Sequence, residues 1–332
     1  HSGNLPDGWK EKLPAFKAGE EMATRKASAK VLNAIAQYLP NLLGGSADLS
    51  PSTDTNLEKY GSFSALNPKG RNFHFGIREH AMGAILNGIS LSKYIIPYGA
   101  TFLVFSDYMR PPIRLAAIMK IRPILIFTHD SIGLGEDGTT HQPIEQLIGL
   151  RSVHNVMVIR PADANETAQA WRVALEYTDG PVALILTRQG IPVIDQEKYT
   201  SANELEKGAY ILSESEKKPQ IILMGSGSEV QLLLGAQQKM KEQNIAVRVV
   251  SMPSWELFEA QSAEYKESVL PKRITKRLAI EAGASLGWYK YVGTEGQVIG
   301  IDRFGASAPG DLLLKEYGMS VENVLNTVKQ LG

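Results

Sequence analysis

The stretch that decides the fold is VMVIRPADANETAQAWRVALEYTDGPVALILTR, residues 156–188. It begins and ends with continuous apolar runs, and the segment between them, 165–177, is amphipathic at helical spacing. Continuous apolar strands that alternate with amphipathic helices are typical of a parallel sheet covered on both faces. The stretch therefore predicts one strand-helix-strand unit of an α/β domain.

The same alternation extends through most of the chain. PILIFTHD (123–130) predicts a strand that leads into a long loop and then a helix. A polar segment broken by Pro and Gly, 189–210, interrupts the pattern, and we place a domain boundary there. Beyond it we predict a helix at 231–244 and strands within 220–230, 247–253, 277–283 and 297–305.

We predict two three-layer α/β domains with mainly parallel sheets, the second domain being the smaller. The boundaries are a linker at 1–18, a first domain at 19–192, a linker at 193–206 and a second domain at 207–332. The chain begins HSGNLPDGWKEKLPAFKAG without Met, and such an opening is typical of a linker. We expect a further natural segment upstream of it.

The composition excludes several classes of protein. Among 332 residues, Lys plus Arg equals Asp plus Glu at 35 each, so no excess of positive charge favours a nucleic-acid or acidic-membrane partner. The lack of cysteine excludes disulfides and thiolate chemistry. No apolar run has the length of a membrane span, and the start lacks a signal-peptide pattern. We expect a cytoplasmic enzyme.

The loop THDSIGLGEDGTTHQP, residues 128–143, follows a predicted strand and is the first candidate site. Ligands of open α/β sheets bind at the carboxyl ends of the strands. His129 and His141 share this loop with Asp130, Glu136 and Asp137. A solvated loop is one explanation, but a long loop with two imidazoles and three carboxylates is more often functional. No metal-binding spacing such as HExxH occurs.

Three further polar residues stand at predicted strand or helix edges. They are Arg25 in ATRKAS, Ser52 in GGSADLSPS and Arg188 in LILTRQG. Each alone fits a surface ion pair or a helix cap. Together with His129 they would form a cationic, hydroxyl-bearing pocket for a phosphate monoester, because guanidinium groups bind phosphate in a bidentate manner.

Aromatic residues recur in GATFLVFSDYMRPPIRLAA, residues 99–117. Phe102, Phe105 and Tyr108 have the spacing of one helical stripe, which is commonly part of a core. The alternative is a set of rings that stacks on a flat heteroaromatic ligand. Pro111 and Pro112 suit a helix N-terminus, so we predict that a helix restarts there.

Two Gly-containing turns also attract attention. GSGSEV (225–230) could hold a phosphate at a helix N-terminus, but the full GxGxxG pattern is absent and a plain strand-to-helix turn is favoured. FHFGIREHAMGAILNG (73–88) predicts a helix after Gly76, with the carboxyl group of Glu79 at the start of an otherwise apolar segment. An interaction with the helix dipole is the simplest explanation of Glu79.

Several of these segments resemble transketolase in order and at similar separations. They are GGSADLSPS (44–52), FGIREHAMG (75–83), THDSIGLGEDGTTHQPIEQL (128–147), RPADANE (160–166) and LTRQGIP (186–192). EAGASLGWYKYVG (281–293) and IDRFGASAPGDLLLKEYG (301–318) resemble the C-terminal domain of that family. The resemblance implies a pyrimidine-binding domain followed by that C-terminal domain. It also implies an enzyme of the pentose phosphate pathway that moves a two-carbon ketol unit between ketose and aldose phosphates with thiamine diphosphate.

The resemblance gives Glu79 a second explanation. In this family the glutamate of REH hydrogen-bonds N1′ of the cofactor's aminopyrimidine ring and favours the imino tautomer, whose exocyclic nitrogen removes the thiazolium C2 proton. An apolar surround disfavours the ionised form of a carboxyl group, which suits proton sharing with a weakly basic ring nitrogen. The resemblance also implies roles in cofactor binding: Phe102, Phe105 and Tyr108 would form the aminopyrimidine pocket, and Asp48 would bind the cofactor near the subunit interface. It implies sugar-phosphate contacts for Arg25, Ser52, His129 and Arg188. Asp137 and the catalytic His141 would contact the substrate's hydroxyl and carbonyl groups.

One departure from the family concerns the diphosphate. The chain lacks the N-terminal domain motif, GDG followed by an Asn-containing segment, through which Mg²⁺ or Ca²⁺ holds the diphosphate; EDG (136–138) and PGD (309–311) lack that context. We therefore predict no metal ligand in this chain. We expect either the small subunit of a split transketolase or, as the opening without Met favours, a fragment that is inactive without the missing domain. The expected partners are phosphorylated sugars, a second copy in a homodimer, and the N-terminal domain or a large subunit.

Two alternatives stay open. A related thiamine-dependent synthase or the β subunit of a 2-oxoacid dehydrogenase shares both folds, but its substrate does not require the grouping of Arg25, Ser52 and Arg188. A catalytically silent assembly module would retain the dimer-forming surface. Binding of thiamine diphosphate would distinguish that module from an enzyme.

Overall fold

The computed structural model describes residues 5–331; residues 1–4 of the first predicted linker and residue 332 lie outside the described residues. The chain forms two α/β units, each built on its own sheet. The strands of the first unit are β1 (Glu21–Met22), β2 (Leu42–Ser46), β3 (Asn72–His74), β4 (Ile96–Phe102), β5 (Ile124–Thr128), β6 (Met157–Ile159), β7 (Val182–Leu186) and β8 (Ile191–Pro192). Its helices are α1 (Thr24–Ala36), α2 (Ser50–Thr53), α3 (Glu79–Ser90), α4 (Ser106–Met119), α5 (Gln146–Arg151) and α6 (Ala164–Glu176).

The main sheet of the first unit is six-stranded and parallel, in the order β3-β2-β4-β5-β7-β6. Alternate side chains of β5 enter two different cores: Ile124 and Ile126 face one, while Leu125 and Phe127 face the other. Burial on both faces explains why the central strands are continuously apolar. The strands and the helix predicted for 123–130 and 156–188 are confirmed.

The second unit is built on a smaller sheet. Its strands are β9 (Tyr210–Glu214), β10 (Ile221–Gly225), β11 (Val247–Ser251), β12 (Arg277–Ile280) and β13 (Gln297–Ile299). Its helices are α7 (Val230–Glu242), α8 (Trp255–Glu259), α9 (Ala263–Val269), α10 (Tyr289–Val292), α11 (Gly310–Glu316) and α12 (Val321–Val328). The strand order is β13-β12-β10-β11-β9, parallel except for β9, an antiparallel edge strand that the sequence did not predict. The predicted class, two α/β domains with mainly parallel sheets, is confirmed.

The prediction that a helix restarts at Pro111 and Pro112 is wrong. Helix α4 begins at Ser106 and contains both prolines. It continues through them because this part of α4 packs closely on α3. A Cβ on Gly83 would lie 2.7 Å from Pro112, and the side chain of Asn87 donates to the carbonyl of Pro112 at 2.8 Å. These contacts offset the backbone hydrogen bonds that proline cannot donate.

The predicted linkers pack against the domains. Trp9 is buried in the first core, and the backbone of Phe16 forms hydrogen bonds of 3.0 and 3.1 Å with the side chain of Asn165. Val193 and Leu205 are likewise buried. The domain limits themselves stay predictions. Within residues 5–331, no helix is both long and apolar enough to cross a membrane.

Candidate active site

The carboxyl end of the six-stranded sheet gathers residues that are far apart in the sequence. β2, β4, β5 and β7 are neighbours and run parallel, so the segments that follow them meet along one edge. These segments are 47–54, 103–108, the loop that begins at His129, and 187–190. Most of the predicted site residues therefore lie along this edge.

A pair of threonines fixes the two arginines of the site. The amide of Thr24 donates to the Thr187 hydroxyl at 2.9 Å, and the amide of Thr187 donates to the Thr24 hydroxyl at 2.7 Å. This reciprocal pair ties the start of α1 to the end of β7. Arg25 and Arg188 follow the two threonines directly, and they are close enough for Arg188 to contribute to a lowered pKa of Arg25, after the larger effect of burial.

Arg25 also reaches the segment that follows β2. Its guanidinium donates to the backbone carbonyl of Ser52, and its Nε lies 3.7 Å from the Asp54 carboxylate. The structure thus brings Arg25, Ser52 and Arg188 together. Arg188 is exposed, and Ser52 is half-buried. This arrangement leaves fixed positive charge facing solvent, as anion binding requires.

His129 lies near Arg25 and Arg188 and is more deeply buried than either of them. It is buried, its Nδ1 lies 2.9 Å from the Thr128 hydroxyl, and its ring stacks on Phe102 at 3.7 Å between centroids. Burial, followed by the charges of Arg25 and Arg188 and by His141, lowers the pKa of His129 to about 3. His129 is therefore a neutral imidazole at neutral pH. The positive charge of the predicted pocket therefore comes from the arginines and not from His129.

The three predicted aromatic residues form a stepped series and not a helical stripe. Phe102 ends β4, Phe105 lies in a short 3-10 turn, and Tyr108 lies in the first turn of α4. Their ring centroids are 5.8 and 6.0 Å apart along the series. Exposure rises from 7% for Phe102 to 64% for Tyr108, so the interpretation of the whole set as core is wrong. The outer rings are free to stack on a flat ligand.

Glu79 is the first residue of α3 and is only 8% exposed. Among the hydrogen bonds within residues 5–331, its carboxyl group takes part in one, accepting from the Thr101 hydroxyl at 3.1 Å. Thr101 precedes Phe102 in β4, so Glu79 lies at the base of the aromatic series. An interaction with the helix dipole alone does not explain this burial. A buried carboxyl group beside a series of aromatic rings fits a flat ring that carries a basic nitrogen.

The remaining predicted residues lie near the edge of this arrangement. His141 is half-buried, with its ring 5.6 Å from that of Phe105 and its Nδ1 2.8 Å from the Thr140 hydroxyl. Asp137 is exposed on the same loop. Asp48 is exposed after β2 and has a positive φ of 64°. In the described part of the chain, no group of three or more His, Cys, Asp or Glu side chains could hold a metal ion.

Sequence reasoning missed the residues that hold the others in place. The hydroxyls of Thr24, Thr101 and Thr187 position Arg25, Glu79 and Arg188 through the contacts described above. A signal was present for two of them, since both arginines follow threonine in the Thr-Arg dipeptides of ATRKAS and LILTRQG. In the GSGSEV turn, the guanidinium of Arg160 occupies the position that a Cβ on Gly227 would take.

Comparisons with family models and with curated proteins find matches over most of the chain. Residues 20–193 match the family model "Transketolase, pyrimidine binding domain", and residues 208–320 match "Transketolase-like TK C-terminal domain". The chain is 55% identical to transketolase from Aquifex aeolicus over 96% of its length and 53% identical to that from Bacillus subtilis over 99%, covering 46% and 50% of those proteins. It thus spans about half the length of the curated relatives it matches.

The chain also superposes on solved structures, of which some are about twice its length and one is of similar length. Transketolase from Leishmania mexicana superposes with a TM-score of 0.94 at 43% identity, covering 99% of this chain and 48% of that one. A chain described as "Split gene transketolase, inactive beta4 tetramer" superposes with a TM-score of 0.75 at 26% identity, covering 93% of this chain and 98% of that one.

Proposed function

This chain belongs to the transketolase family, and on that premise we propose that it forms part of a thiamine diphosphate enzyme that transfers a two-carbon ketol unit from a ketose phosphate to an aldose phosphate. The observation that carries the proposal is the grouping of Arg25, Ser52, His129 and Arg188 beside the aromatic series. A 2-oxoacid substrate has no phosphate end and would not require the two arginines. The grouping therefore favours sugar phosphates.

The aminopyrimidine ring of the cofactor would be held by the aromatic series and Glu79. Phe102, Phe105 and Tyr108 offer stacking faces, and Glu79 offers a carboxyl oxygen to a ring nitrogen. Thiamine diphosphate, when bound, supplies the carbon nucleophile that carries the ketol unit. Asp48, at the exposed end of β2, would contribute to cofactor binding near a subunit interface.

The task of Glu79 is to hold a proton at the ring nitrogen. Its burial removes most competing water, and the Thr101 hydroxyl fixes one carboxyl oxygen at 3.1 Å. The other oxygen is then oriented for the cofactor. A carboxyl group held in this way exchanges its proton with a weakly basic nitrogen without a change of geometry.

The arginine group has a different task, which is to bind the far end of the substrate. Arg25 and Arg188 would hold the phosphate, with Ser52 and the neutral His129 donating hydrogen bonds. Asp137 and His141 lie on the same loop as His129, with the ring of His141 5.6 Å from that of Phe105, and would contact the hydroxyl and carbonyl groups of the sugar. His141 would also move a proton at the reacting carbonyl group.

We further propose that turnover requires a second half-site. The curated relatives are about twice as long as the matched region, and the split gene chain of similar extent is described as inactive. An N-terminal domain or a large subunit would hold the diphosphate through Mg²⁺ or Ca²⁺. A homodimer of the assembled enzyme in the cytoplasm is the arrangement that we propose.

Calorimetric titration and an activity assay test these proposals together. We expect the chain alone to bind thiamine diphosphate and Mg²⁺ only weakly and to show no ketol transfer from xylulose 5-phosphate to ribose 5-phosphate. Addition of a diphosphate-binding half from a relative should restore both. Micromolar binding with turnover by the chain alone would contradict the need for a partner, and no turnover in any combination would contradict the enzymatic role.

A further inference from the structure

The loop that carries the site's histidines is held by contacts from the second domain in addition to its own hydrogen bonds. We call residues 129–142 the histidine loop. It contains one short 3-10 turn, Ile132–Leu134, and three residues with positive φ: His129 at 59°, Gly135 at 95° and Gly138 at 76°. The two glycines adopt a positive φ at little cost, whereas His129 carries a side chain and keeps a positive φ only where its surroundings hold it. Contacts from the second domain reach this loop at several points.

The first contact is made through Gln142. This side chain is only 3% exposed, and its Nε2 donates to the carbonyl of Gly135 within the loop and to the carbonyl of Ala306 in the second domain, both at 2.9 Å. Its Oε1 lies where a Cβ of Gly305 would be, at 1.7 Å. Only glycine at position 305 allows this approach. We call residues 305–310 the bracing segment.

Two further residues of the bracing segment contact the backbone of the loop. The Ser307 hydroxyl donates to the carbonyl of Glu136 at 2.6 Å. Gly310, at the start of α11, lies so close to the loop that a Cβ there would come within 2.2 Å of the carbonyl of Gly133. The bracing segment therefore follows the loop from Gly133 to Gln142.

At the other end of the loop, beside His129, the second domain acts through Arg160 of the first domain. Asp130 accepts from Nε of Arg160 at 3.0 Å and pairs with its Nη2 at 2.8 Å. The same guanidinium donates to the carbonyl of Ser226 at 2.9 Å and pairs with Glu229, and both of these residues belong to the second domain. All of these groups are buried. Asp130, the residue next to His129, is thus paired with a first-domain arginine that Ser226 and Glu229 of the second domain hold in place.

We propose that the second domain positions the substrate-binding histidines, with the bracing segment holding the backbone between His129 and His141. Ser307 and Gly310 are positioning residues, since they contact the backbone of the loop. For its catalytic meaning this inference rests on the proposed function. The positioning itself is a property of this chain and can be measured without substrate.

Two substitutions in the bracing segment test the inference. Ser307→Ala removes one hydrogen bond, and Gly310→Ala forces a methyl group against the carbonyl of Gly133. Ser320→Ala is the matched control, because it also removes one side-chain hydrogen bond at a site away from the loop. The Ser320 hydroxyl accepts this bond from the amide of Asn323 at 3.2 Å. Amide hydrogen exchange at Gly138 and His141 reports on the loop, since both amides donate within it, at 3.2 and 3.0 Å.

We expect exchange at these amides to be at least about tenfold faster in Gly310→Ala and several-fold faster in Ser307→Ala, with the control unchanged. His129 should titrate by NMR closer to the ordinary histidine value of about 6.5, because a released ring gains water. If the exchange rates and the pKa of His129 are unchanged in both variants, the inference is wrong. Should Gly310→Ala fail to fold, Ser307→Ala decides the question alone.

Steady-state kinetics with a diphosphate-binding half then connect positioning to reaction. We expect Ser307→Ala to raise KM for phosphorylated sugars more than it lowers kcat, since it loosens contacts made in ground and transition states alike. If loop dynamics change but the kinetics do not, the positioning proposal stands, and the role of the histidines in the proposed function is contradicted. Unchanged loop dynamics in a fully active assembly would contradict the positioning alone.

Discussion

The carboxyl ends of the two sheets are alike in construction and opposite in environment. In the first domain, the residues beyond β4 and β7 include the exposed Tyr108 and Arg188. In the second domain, Ser226 and Glu281 directly follow β10 and β12, Ser251 ends β11, and all three are buried. One edge is open to ligands and the other is closed.

Side chains from the first domain close the second edge. Arg151 donates to both oxygens of Glu281 at 2.7 and 3.0 Å, and Arg160 donates to the carbonyl of Ser226 at 2.9 Å. Glu166 accepts from the hydroxyl of Ser251 at 2.6 Å. The position at which open α/β sheets commonly bind ligands is here used for docking between domains. The same topology therefore serves two purposes, and the loop residues decide which one.

The largest expected effect is on the open edge, at Glu79. We expect Glu79→Gln, assayed with a diphosphate-binding half, to lower turnover by the ~10²–10⁴-fold typical of a lost general acid or base. Glu322→Gln is the control, since Glu322 also lies in the first turn of a helix but is exposed in α12. Near wild-type kcat at saturating cofactor would contradict a catalytic role for Glu79.

The closed edge should respond in stability. Arg160→Met leaves Asp130 and Glu229 buried without their cation, and removal of one partner of a buried pair costs about 3–5 kcal/mol. Urea unfolding measures this loss. In the control, Arg172→Met, a more exposed pair with Glu206 is removed, and we expect about 1 kcal/mol or less. Equal losses in the two variants would contradict the assignment of the second edge to docking.

These two edges also show what the sequence can predict. The strand and helix positions followed from local patterns, because residues such as Leu125 and Ile126 report their burial through their own apolarity. Strand order is not a local property. The meeting of Arg25 with Ser52 depends on β2, β4, β5 and β7 lying side by side, which no spacing in the sequence specifies.

The environment of Arg160 could not be predicted from the sequence either. Its partner Glu229 is 69 residues away and belongs to another domain. Local pattern also misplaced the start of α4, since the contact between Pro112 and α3 overrides the tendency of proline to begin a helix. The resemblance of the motifs identified the site residues, whereas the residues that position them required the structure.

The closed edge should also make stability depend on pH through Glu166. Burial, followed by the neighbouring Asp163, raises the pKa of Glu166 to about 7, and burial raises that of Asp163 to about 6. Between about pH 4.5 and 7 for Glu166, and between about pH 3.8 and 6 for Asp163, the carboxyl group has lost its proton in the unfolded chain and still holds it in the folded chain. The free energy of unfolding therefore falls as the pH rises through these windows, by up to about 1.4 kcal/mol per pH unit for each group.

We expect Glu166→Gln to remove its share of this dependence and to leave that of Asp163. Urea unfolding at pH 5 and pH 7.5 measures the difference between the variant and the wild type. Glu295→Gln, at an exposed position of the second domain, controls for the loss of a carboxylate. A wild-type slope in Glu166→Gln would show that Glu166 is already ionised at pH 5.

The smallest effect is expected at Arg188, and it separates the two edges most clearly. Arg188 is exposed at the open edge, so Arg188→Ala should leave stability nearly unchanged, in contrast to Arg160→Met. A phosphate contact far from the reacting carbon acts in the ground and transition states alike, so KM for phosphorylated sugars should rise about ten- to a hundredfold with a smaller change in kcat. Unphosphorylated acceptors should be almost unaffected. Arg273→Ala, which removes an exposed arginine from the second domain, controls for net charge. An equal rise of KM for phosphorylated and unphosphorylated acceptors would exclude a phosphate contact at Arg188, and the open edge would then show no specificity for phosphate at this residue.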